Sequence, residues 1–432
     1  MLNPLNTSMI SVAFSRLQEQ FQVPYSSISW LIATYYVTSA IAQPVMGKLS
    51  DMIGRKRIFI WGLLLVILSS ALAPFSTGIG WLMAFRVIQA LGTSSLFPSG
   101  MGMIRSSITE NQARALSVMS IFSSTSAALG PSLGGVLIHY GDWPSIFFVN
   151  FPVIAVVLVL AFKVLPKDAG HAVFKLKELD LWGIVLFAVT TISWLFYFLS
   201  PNLQFNPLLL ALGAALTIFF YKFEAKRETP FIHVLFLKKN ARVSLIYFQF
   251  ILINIVFYSV MFSIPSYLQQ VRLFDDRQVG IVMLGISGFG IFITPLVGRW
   301  IDKSGSRLPL ITGSLLVISG SLLMLLIHER TSAVAIFVIL SVFGLSSGFQ
   351  NLGMQTSLYA YVSKAETGLA SGLFMTSRFV GTILSSSLLG VMFGRQLSTG
   401  QLHLMSLVCA GIGGVTMLLS MNMRNQEKDI AS

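Results

Sequence analysis

Apolar runs of about 20 residues recur along almost the whole chain, and the short loops between them hold nearly all of its charge. A helix rising about 1.5 Å per residue needs about 20 residues to cross a hydrocarbon core of about 30 Å. Within lipid, backbone groups must find their partners inside the spanning structure, which leaves helices or a closed barrel. These runs are continuous rather than alternating, so a barrel is excluded. Fourteen can be read, centred near Met9, Tyr36, Leu65, Leu91, Ser126, Val157, Phe187, Leu212, Val256, Gly288, Leu316, Val342, Thr382 and Gly411. The expected fold class is an all-α polytopic membrane protein. Only 10% of the 432 residues are charged, where a soluble domain carries roughly a quarter.

The net charge of +13 would suit nucleic acid, but its placement between apolar spans excludes that partner and points to the lipid bilayer. With the loop around Lys48 placed in the cytoplasm, alternation fixes every other loop. Of 29 Lys and Arg, five then lie outside (Arg16, Arg272, Arg277, Arg330 and Arg395) and two within spans (Arg86 and Arg378). All the others are cytoplasmic. Adding or dropping a span would invert the loops after it and spoil this asymmetry, which supports a count of fourteen. A multi-pass protein of the cell membrane with a cytoplasmic C-terminus is expected. The first span is short: Met1 to Leu17 would cover about 25 Å as a helix. Either the true start lies upstream, the favoured expectation, or the first helix is clipped.

One loop stands out, Gly47-Lys48-Leu49-Ser50-Asp51-Met52-Ile53-Gly54-Arg55-Lys56-Arg57. A weaker copy follows at Gly298-Arg299-Trp300-Ile301-Asp302-Lys303-Ser304-Gly305-Ser306-Arg307. The Gly–Asp and Asp–Gly intervals are the same in both. A repeat between membrane segments implies two related halves that move against one another, which is transporter architecture. Asp51 can accept hydrogen bonds from a helix amino terminus, and Arg55, Lys56 and Arg57 can pair with carboxylates or carbonyl ends. Such a clasp would latch one half to the other. Orientation alone is the other reading, and Lys56 and Arg57 fit it. Asp51 does not, because acidic residues contribute little to orientation. The expected gating residues are Gly47, Asp51, Gly54, Arg55, Lys56 and Arg57, with Gly298, Asp302, Gly305 and Arg307.

An arginine inside a span costs about 2.5–3.5 kcal/mol on insertion scales, so Arg86 is expected to face a hydrated cavity and a partner. Snorkelling to the interface is its alternative. Gly130, Gly134 and Gly135 read as close-packing positions and Pro131 as a bend. Gly285, Gly288 and Gly290 read as packing glycines too. Polar side chains within spans are candidates for a transport path: Asn6, Gln43, Gln89, Gln249, Asn254, Gln350, Asn351, Gln355 and Arg378. Tyr35, Tyr36, Tyr247, Phe248, Phe250, Phe257 and Tyr258 accompany them, a lining suited to amphiphilic organic compounds. Cys409 reads as a buried small hydrophobe, and the five histidines lack metal-ligand spacing. No metal, no cofactor and no catalytic residues are expected. With no phosphate-binding run and no nucleophile–base pair, neither an ATP-driven pump nor an enzyme is expected.

The Gly47–Arg57 loop resembles the signature between helices two and three of the major facilitator superfamily. Arg86-Val87-Ile88-Gln89-Ala90-Leu91-Gly92 resembles its helix-four motif. Ser126-Ala127-Ala128-Leu129-Gly130-Pro131-Ser132-Leu133-Gly134-Gly135 resembles the helix-five motif of exporters, with Ser126 in place of the leading glycine. Trp143 to Pro152 resembles the start of helix six. The closest resemblance is to the fourteen-helix drug–proton antiporter branch, the multidrug efflux type. That resemblance implies two six-helix halves, residues 1–165 and 242–423. Between them runs a linker, 166–241, holding two extra helices, and a tail covers 424–432. It implies alternating-access export of small organic or drug-like molecules, driven by the proton motive force, by a monomer, with an oligomer left open. It gives Arg86 a part in proton coupling, with Gln89 and Gly92 beside it.

One departure matters. The branch commonly has an acidic residue in helix one where this chain has Asn6. Every Asp and Glu lies in a loop or at a span edge, with Asp180, Glu224, Asp275, Asp276 and Glu366 coming nearest. A buried cationic substrate would lack a counter-charge. Neutral or anionic substrates fit better beside Arg86 and Arg378. Uptake or uniport of a metabolite and a non-transporting sensor are the competing readings. The extra helices, near 181–200 and 203–221, would bridge the halves or form an oligomer contact.

Overall fold

The computed structural model describes residues 2–23, 25–108, 110–166, 168, 179–199, 206–393 and 398–423. The first half comprises α1 (Leu2–Val12), α2 (Phe14–Phe21), α3 (Tyr25–Ile53), α4 (Arg55–Leu72), α5 (Ile79–Ser107), α6 (Gln112–Gly141), α7 (Ser145–Phe148) and α8 (Asn150–Val164). Two inserted helices follow, α9 (Leu181–Leu199) and α10 (Pro207–Glu224), then a short α11 (Val234–Lys239). The second half comprises α12 (Ala241–Gln270), α13 (Asp276–Ser304), α14 (Arg307–Met324), α15 (Ala333–Tyr361), α16 (Thr367–Phe393) and α17 (Thr399–Met421). Each of the fourteen expected centres falls in a separate helical stretch, with α1–α2 and α7–α8 each acting as one. The tail beyond 423, Asp276 as a side chain and Arg395 lie outside the described residues.

Local chemistry starts several helices. The Asn206 side chain accepts the N–H groups of Leu208 and Leu209 while Pro207 takes the first helical position. Asp275 with Gln278, and Ser398 with Gln401, form reciprocal capping boxes on α13 and α17. Among the described residues, nine helical segments are long and apolar enough to cross a membrane. Two long helices outside that set, α3 and α5, carry polar residues buried inside the bundle, among them Ser39, Gln43, Arg86, Gln89, Thr93 and Ser99. Polar groups in a span belong on the protein side, so the less apolar helices mark where the interior lies. The lipid-facing side is the reverse, with Trp61, Val156, Phe162, Trp182, Phe219, Phe292 and Leu418 all exposed.

Each half has its own core. Met9, Ile10, Leu17, Leu82 and Phe147 pack in the first, and Phe250, Val256, Ile264, Leu310, Leu340, Leu352 and Met405 in the second. Without a solvent-driven force between helices in lipid, close approach through small residues carries the packing. A Cβ on Gly344 would meet the Gly285 carbonyl oxygen at 2.6 Å, and one on Gly92 the Gly62 carbonyl oxygen at 2.7 Å. The halves meet along two seams, α3 against α16 and α6 against α13. In each seam the second helix of one half lies on the fifth of the other. The inserted α9 lies on both α3 and α16, so it straddles the first seam. At its far end the Trp30 and Phe196 rings stand 6.2 Å apart.

Candidate functional site

The loops with the repeated glycines and aspartates share one end of the bundle, here called the basic end. Gly54, at φ 126°, separates α3 from α4 in a conformation other residues rarely adopt. One turn earlier, Asp51 reaches the second half. Its Oδ1 accepts the Gly368 N–H at 3.1 Å and its Oδ2 the Leu369 N–H at 3.0 Å. Those amides open α16, where helix geometry leaves them without internal partners and the dipole favours an anion. The helices come this close because Gly47 faces Gly368; a Cβ on Gly47 would sit 2.2 Å from the Gly368 carbonyl oxygen. Arg55 donates to Gly102 O at 2.7 Å and Lys364 O at 2.5 Å, and it pairs with Asp51 at 3.4 Å. From α5, Arg105 donates to Ser363 O at 3.0 Å, Thr367 Oγ1 at 2.9 Å, and the Tyr359 and Val362 carbonyls. It thereby fills the carbonyl end of α15.

The second copy repeats the carboxylate contact with the halves exchanged. Asp302 accepts the Ala113 N–H at 3.1 Å and the Arg114 N–H at 3.2 Å, at the start of α6. Gly298 lies against Ala113 and Ser117, and Gly305, at φ 75°, ends α13. The cations differ. Arg307 donates to Met421 O at 2.7 Å within its own half, and Ser306, in register with Arg55, meets the Ser357 hydroxyl at 2.7 Å. The backbone at Lys56 and Arg57 turns toward the end of the first half and the start of the linker. Their backbone N–H groups donate to Asp168 at 2.9 and 3.2 Å, and Lys56 Nζ to Leu165 O at 2.9 Å.

A polar chain runs through the middle of the first half. Arg86, 1% exposed, donates through Nη1 to Gln89 Oε1 at 2.5 Å and lies 4.2 Å over the Tyr35 ring. Gln89 Nε2 donates to Asn6 Oδ1 at 3.2 Å. Asn6 and Asn150 exchange amide hydrogen bonds at 3.0 and 2.9 Å, and Asn150 also donates to Ser70 Oγ at 3.1 Å. Arg86 Nε and Nη2 have no hydrogen-bond partner among the described residues. Across the seam, half-buried Arg378 donates through Nε to Tyr258 Oη at 3.0 Å. Tyr36 lies between the two arginines, 5.7 Å from the Phe379 ring and within electrostatic reach of Tyr258, Arg378, Tyr35 and Arg86. Such a group can stack a planar molecule and offer guanidinium hydrogen bonds to its oxygens.

The structure thus gathers Asn6, Tyr35, Arg86, Gln89 and Arg378 near one centre. Gln43, whose backbone carbonyl would meet a Cβ on Gly372 at 2.4 Å, lies on the α3–α16 seam, and Gln355, 3.8 Å from Met101 Sδ, faces α5 from α15. Four others spend their amides elsewhere. Gln249 donates to Ser420 Oγ at 2.7 Å and Gln350 to Ser314 Oγ at 2.9 Å, each tying two helices of the second half. Asn254 and Asn351 donate to Phe250 O and Ser347 O in their own helices. A Cβ on Gly134 would meet Met9 Cα at 3.1 Å, Gly130 is buried, Gly135 meets open space, and the side chain of Pro131 lies outside the described residues. Sequence reasoning missed Asn150, Arg105 and Asp168. An amide at the start of span six was a visible signal for Asn150; Arg105 and Asp168 look like ordinary loop charges.

The Major Facilitator Superfamily model matches residues 1–386. The chain is 40% identical over 424 residues to the uncharacterized MFS-type transporter YwoD of Bacillus subtilis (strain 168), covering 97% of this chain and 94% of that one. It is 27% identical to the riboflavin transporter RibZ of Clostridioides difficile (strain 630), covering 93% and 87%. With the multidrug resistance protein Stp of Mycobacterium tuberculosis (strain CDC 1551 / Oshkosh) it shares 25%, covering 91% and 74%. The crystal structure of the human organic anion transporter MFSD10 (TETRAN) has the same fold, with a TM-score of 0.68, 16% identity and coverage of 97% and 96%. With two six-helix halves, reciprocal aspartate contacts between them and this match along its length, the chain belongs to the major facilitator superfamily, as a multi-pass membrane transporter rather than an enzyme.

Proposed function

We propose that the protein exports small amphiphilic organic molecules, neutral or anionic, by alternating access driven by proton inflow. The observation that carries the substrate class is Arg86. It is buried, its Nε and Nη2 have no hydrogen-bond partner among the described residues, and its neighbours there are the Gln89 amide and the Tyr35 ring. An anionic or carbonyl oxygen of a substrate would fill those donors, whereas a cation there would be repelled. Export is supported by the helix-five glycines, and drug-like substrates by the name of the Stp relative. In this reading the basic end is cytoplasmic, in the cell membrane, and the two carboxylate latches close it while the path opens outward. Residues 1–165 and 242–423 are the moving halves of a monomer. A membrane potential supplies about 2.3 kcal/mol per charge per 100 mV, enough to concentrate a solute if protons are carried inward.

The test compares cells with and without the protein, loaded with ethidium, a neutral dye or fluorescein, before and after a protonophore. Lower accumulation of the neutral and anionic dyes, restored by the protonophore, is expected. Equal accumulation throughout overturns export, and efflux confined to ethidium overturns the substrate class. Uptake of a metabolite is the second reading, and the aromatic centre around Tyr36 and the name of the RibZ relative favour a flavin as its substrate. Higher accumulation of riboflavin in expressing cells would select it.

A further inference from the structure

The inserted helices hold two acidic side chains outside the latches and the central group. Asp180 precedes α9 and Glu224 ends α10, and they are 8% and 1% exposed. One oxygen of each is engaged: Asp180 Oδ1 accepts the Gly183 N–H at 3.0 Å, and Glu224 Oε2 accepts the Ile232 N–H at 3.1 Å. The other two, Asp180 Oδ2 and Glu224 Oε1, are buried with no hydrogen-bond partner among the described residues. They are aimed at the same point. A Cβ on Gly183 would lie 2.1 Å from Glu224 Oε1 and 2.7 Å from Asp180 Oδ2, so only glycine lets the carboxyls converge there.

The charged groups facing the pair come from three directions. Arg227, just past α10, lies 3.9 Å from Asp180 on its already engaged oxygen. Lys48, from α3, donates to the Pro230 and Phe231 carbonyls and feels the charges of Glu224, Asp180 and Glu366. Glu366, before α16, is 3.9 Å from His233. Two ionised carboxylates directed at one buried point repel strongly, which a shared proton or a bound cation relieves. Among the described residues no third Asp, Glu, His or Cys joins them in a metal-binding group. Hard cations take six or more oxygens, whereas a proton needs only two.

We propose that Asp180 and Glu224 form a proton-binding site in which the two carboxyls share one hydrogen ion, linked to the Asp51 latch through Lys48. One carboxyl keeps the proton and donates it to the carboxylate of the other; release to water at the basic end leaves two carboxylates and one added negative charge. The link is short. Glu224 holds the Ile232 N–H, the two preceding carbonyls hold Lys48, and Lys48 is one turn before Asp51. Phe231 and Ile232 pack with Leu369, whose N–H Asp51 caps. The added charge draws the Lys48 ammonium off those carbonyls and loosens the strap beside the latch. A part in turnover rests on the proton-driven reading above; the site itself does not.

The test uses the full chain in lipid nanodiscs and follows infrared difference spectra during a pH titration. A protonated-carboxyl band, shifted in heavy water and lost reversibly as pH rises, is expected in the wild type and absent from Glu224→Gln and Asp180→Asn. No such band in the wild type, or its persistence in both variants, overturns the proposal. Loss of the band on adding sodium at fixed pH overturns it in favour of a metal cation. Amide exchange at residues 231–233 and 368–369 reads the link. Opening that rises with pH beyond the intrinsic rate is expected in the wild type and not in Glu224→Gln; identical profiles overturn the link. None of these readouts needs a transported substrate, so failure of the export reading leaves them standing and shows separately in the dye assay.

Discussion

The two latches at the basic end contain the same carboxylate contact in different company. Asp51 and Asp302 each cap the opening amides of the fifth helix of the opposite half, at 3.0–3.2 Å. Around Asp51, Arg55 and Arg105 also cross the seam and fill carbonyls between α15 and α16. Around Asp302, the corresponding position is Ser306 and the nearby Arg307 bonds within its own half. The contrast separates what the repeat kept from what it let drift. A helix amino terminus offers unfilled amides wherever it lies, so an aspartate alone makes a serviceable cap. An arginine clamp needs carbonyl ends at particular places, and among the described residues the first seam is where arginines fill them across the halves.

The asymmetry can be broken by substitution. Asp51→Ala strips the cap from α16 and leaves Arg55 without its carboxylate. Charged hydrogen bonds contribute about 1.5–3 kcal/mol each, so a loss of transport by a factor of about ten or more is expected with normal expression. Retained dye efflux in that variant would remove the latch role. Arg105→Ala empties four acceptors in one step, and a fall in transport of about five- to tenfold is expected from charge-assisted bonds of this kind. An unchanged rate, with spin-label distances between α5 and α15 also unchanged, would place Arg105 outside the latch.

Asp302→Ala is expected to cost less, about fivefold, because a lone cap contributes typically about 1 kcal/mol. Equal losses for the two aspartates would show that the arginines add nothing. The smallest effect is expected from Ser306→Arg, which gives the second copy the cation it lacks. It should shift the population of closed second latches by about twofold, since exposed ion pairs contribute about 0.2–1 kcal/mol. A larger stabilisation, read from spin-label distances between α6 and α13, would mean that carbonyl acceptors are within reach there after all.

The helices were legible in the sequence because hydropathy is a local property. Each span is decided by its own 20 or so residues meeting lipid, with no help from the rest of the chain. The contact type of Asp51 was legible for the same reason, since a carboxylate in a basic loop suits a helix amino terminus. The polar residues inside spans were a different matter. Gln249 and Gln350 look like Asn6 and Gln89 in sequence, yet they tie α12 to α17 and α15 to α14. Nothing near them in the chain announces which neighbour they face. Arg105 passed for a loop cation, and its acceptors lie more than 250 residues away.

By itself, then, the amino-acid sequence determined that this chain is a bundle of membrane-crossing helices in two related halves with charged loops at one end. Lipid solvation acts on each segment independently, and composition is enough to read it. Tertiary structure alone decided that Asp51 meets Gly368, that Arg86 is left with unfilled donors, and that Asp180 and Glu224 converge over Gly183. Those outcomes depend on where distant helices pack, and hydrogen bonds and ion contacts act only over a few ångströms once packing has brought the groups together.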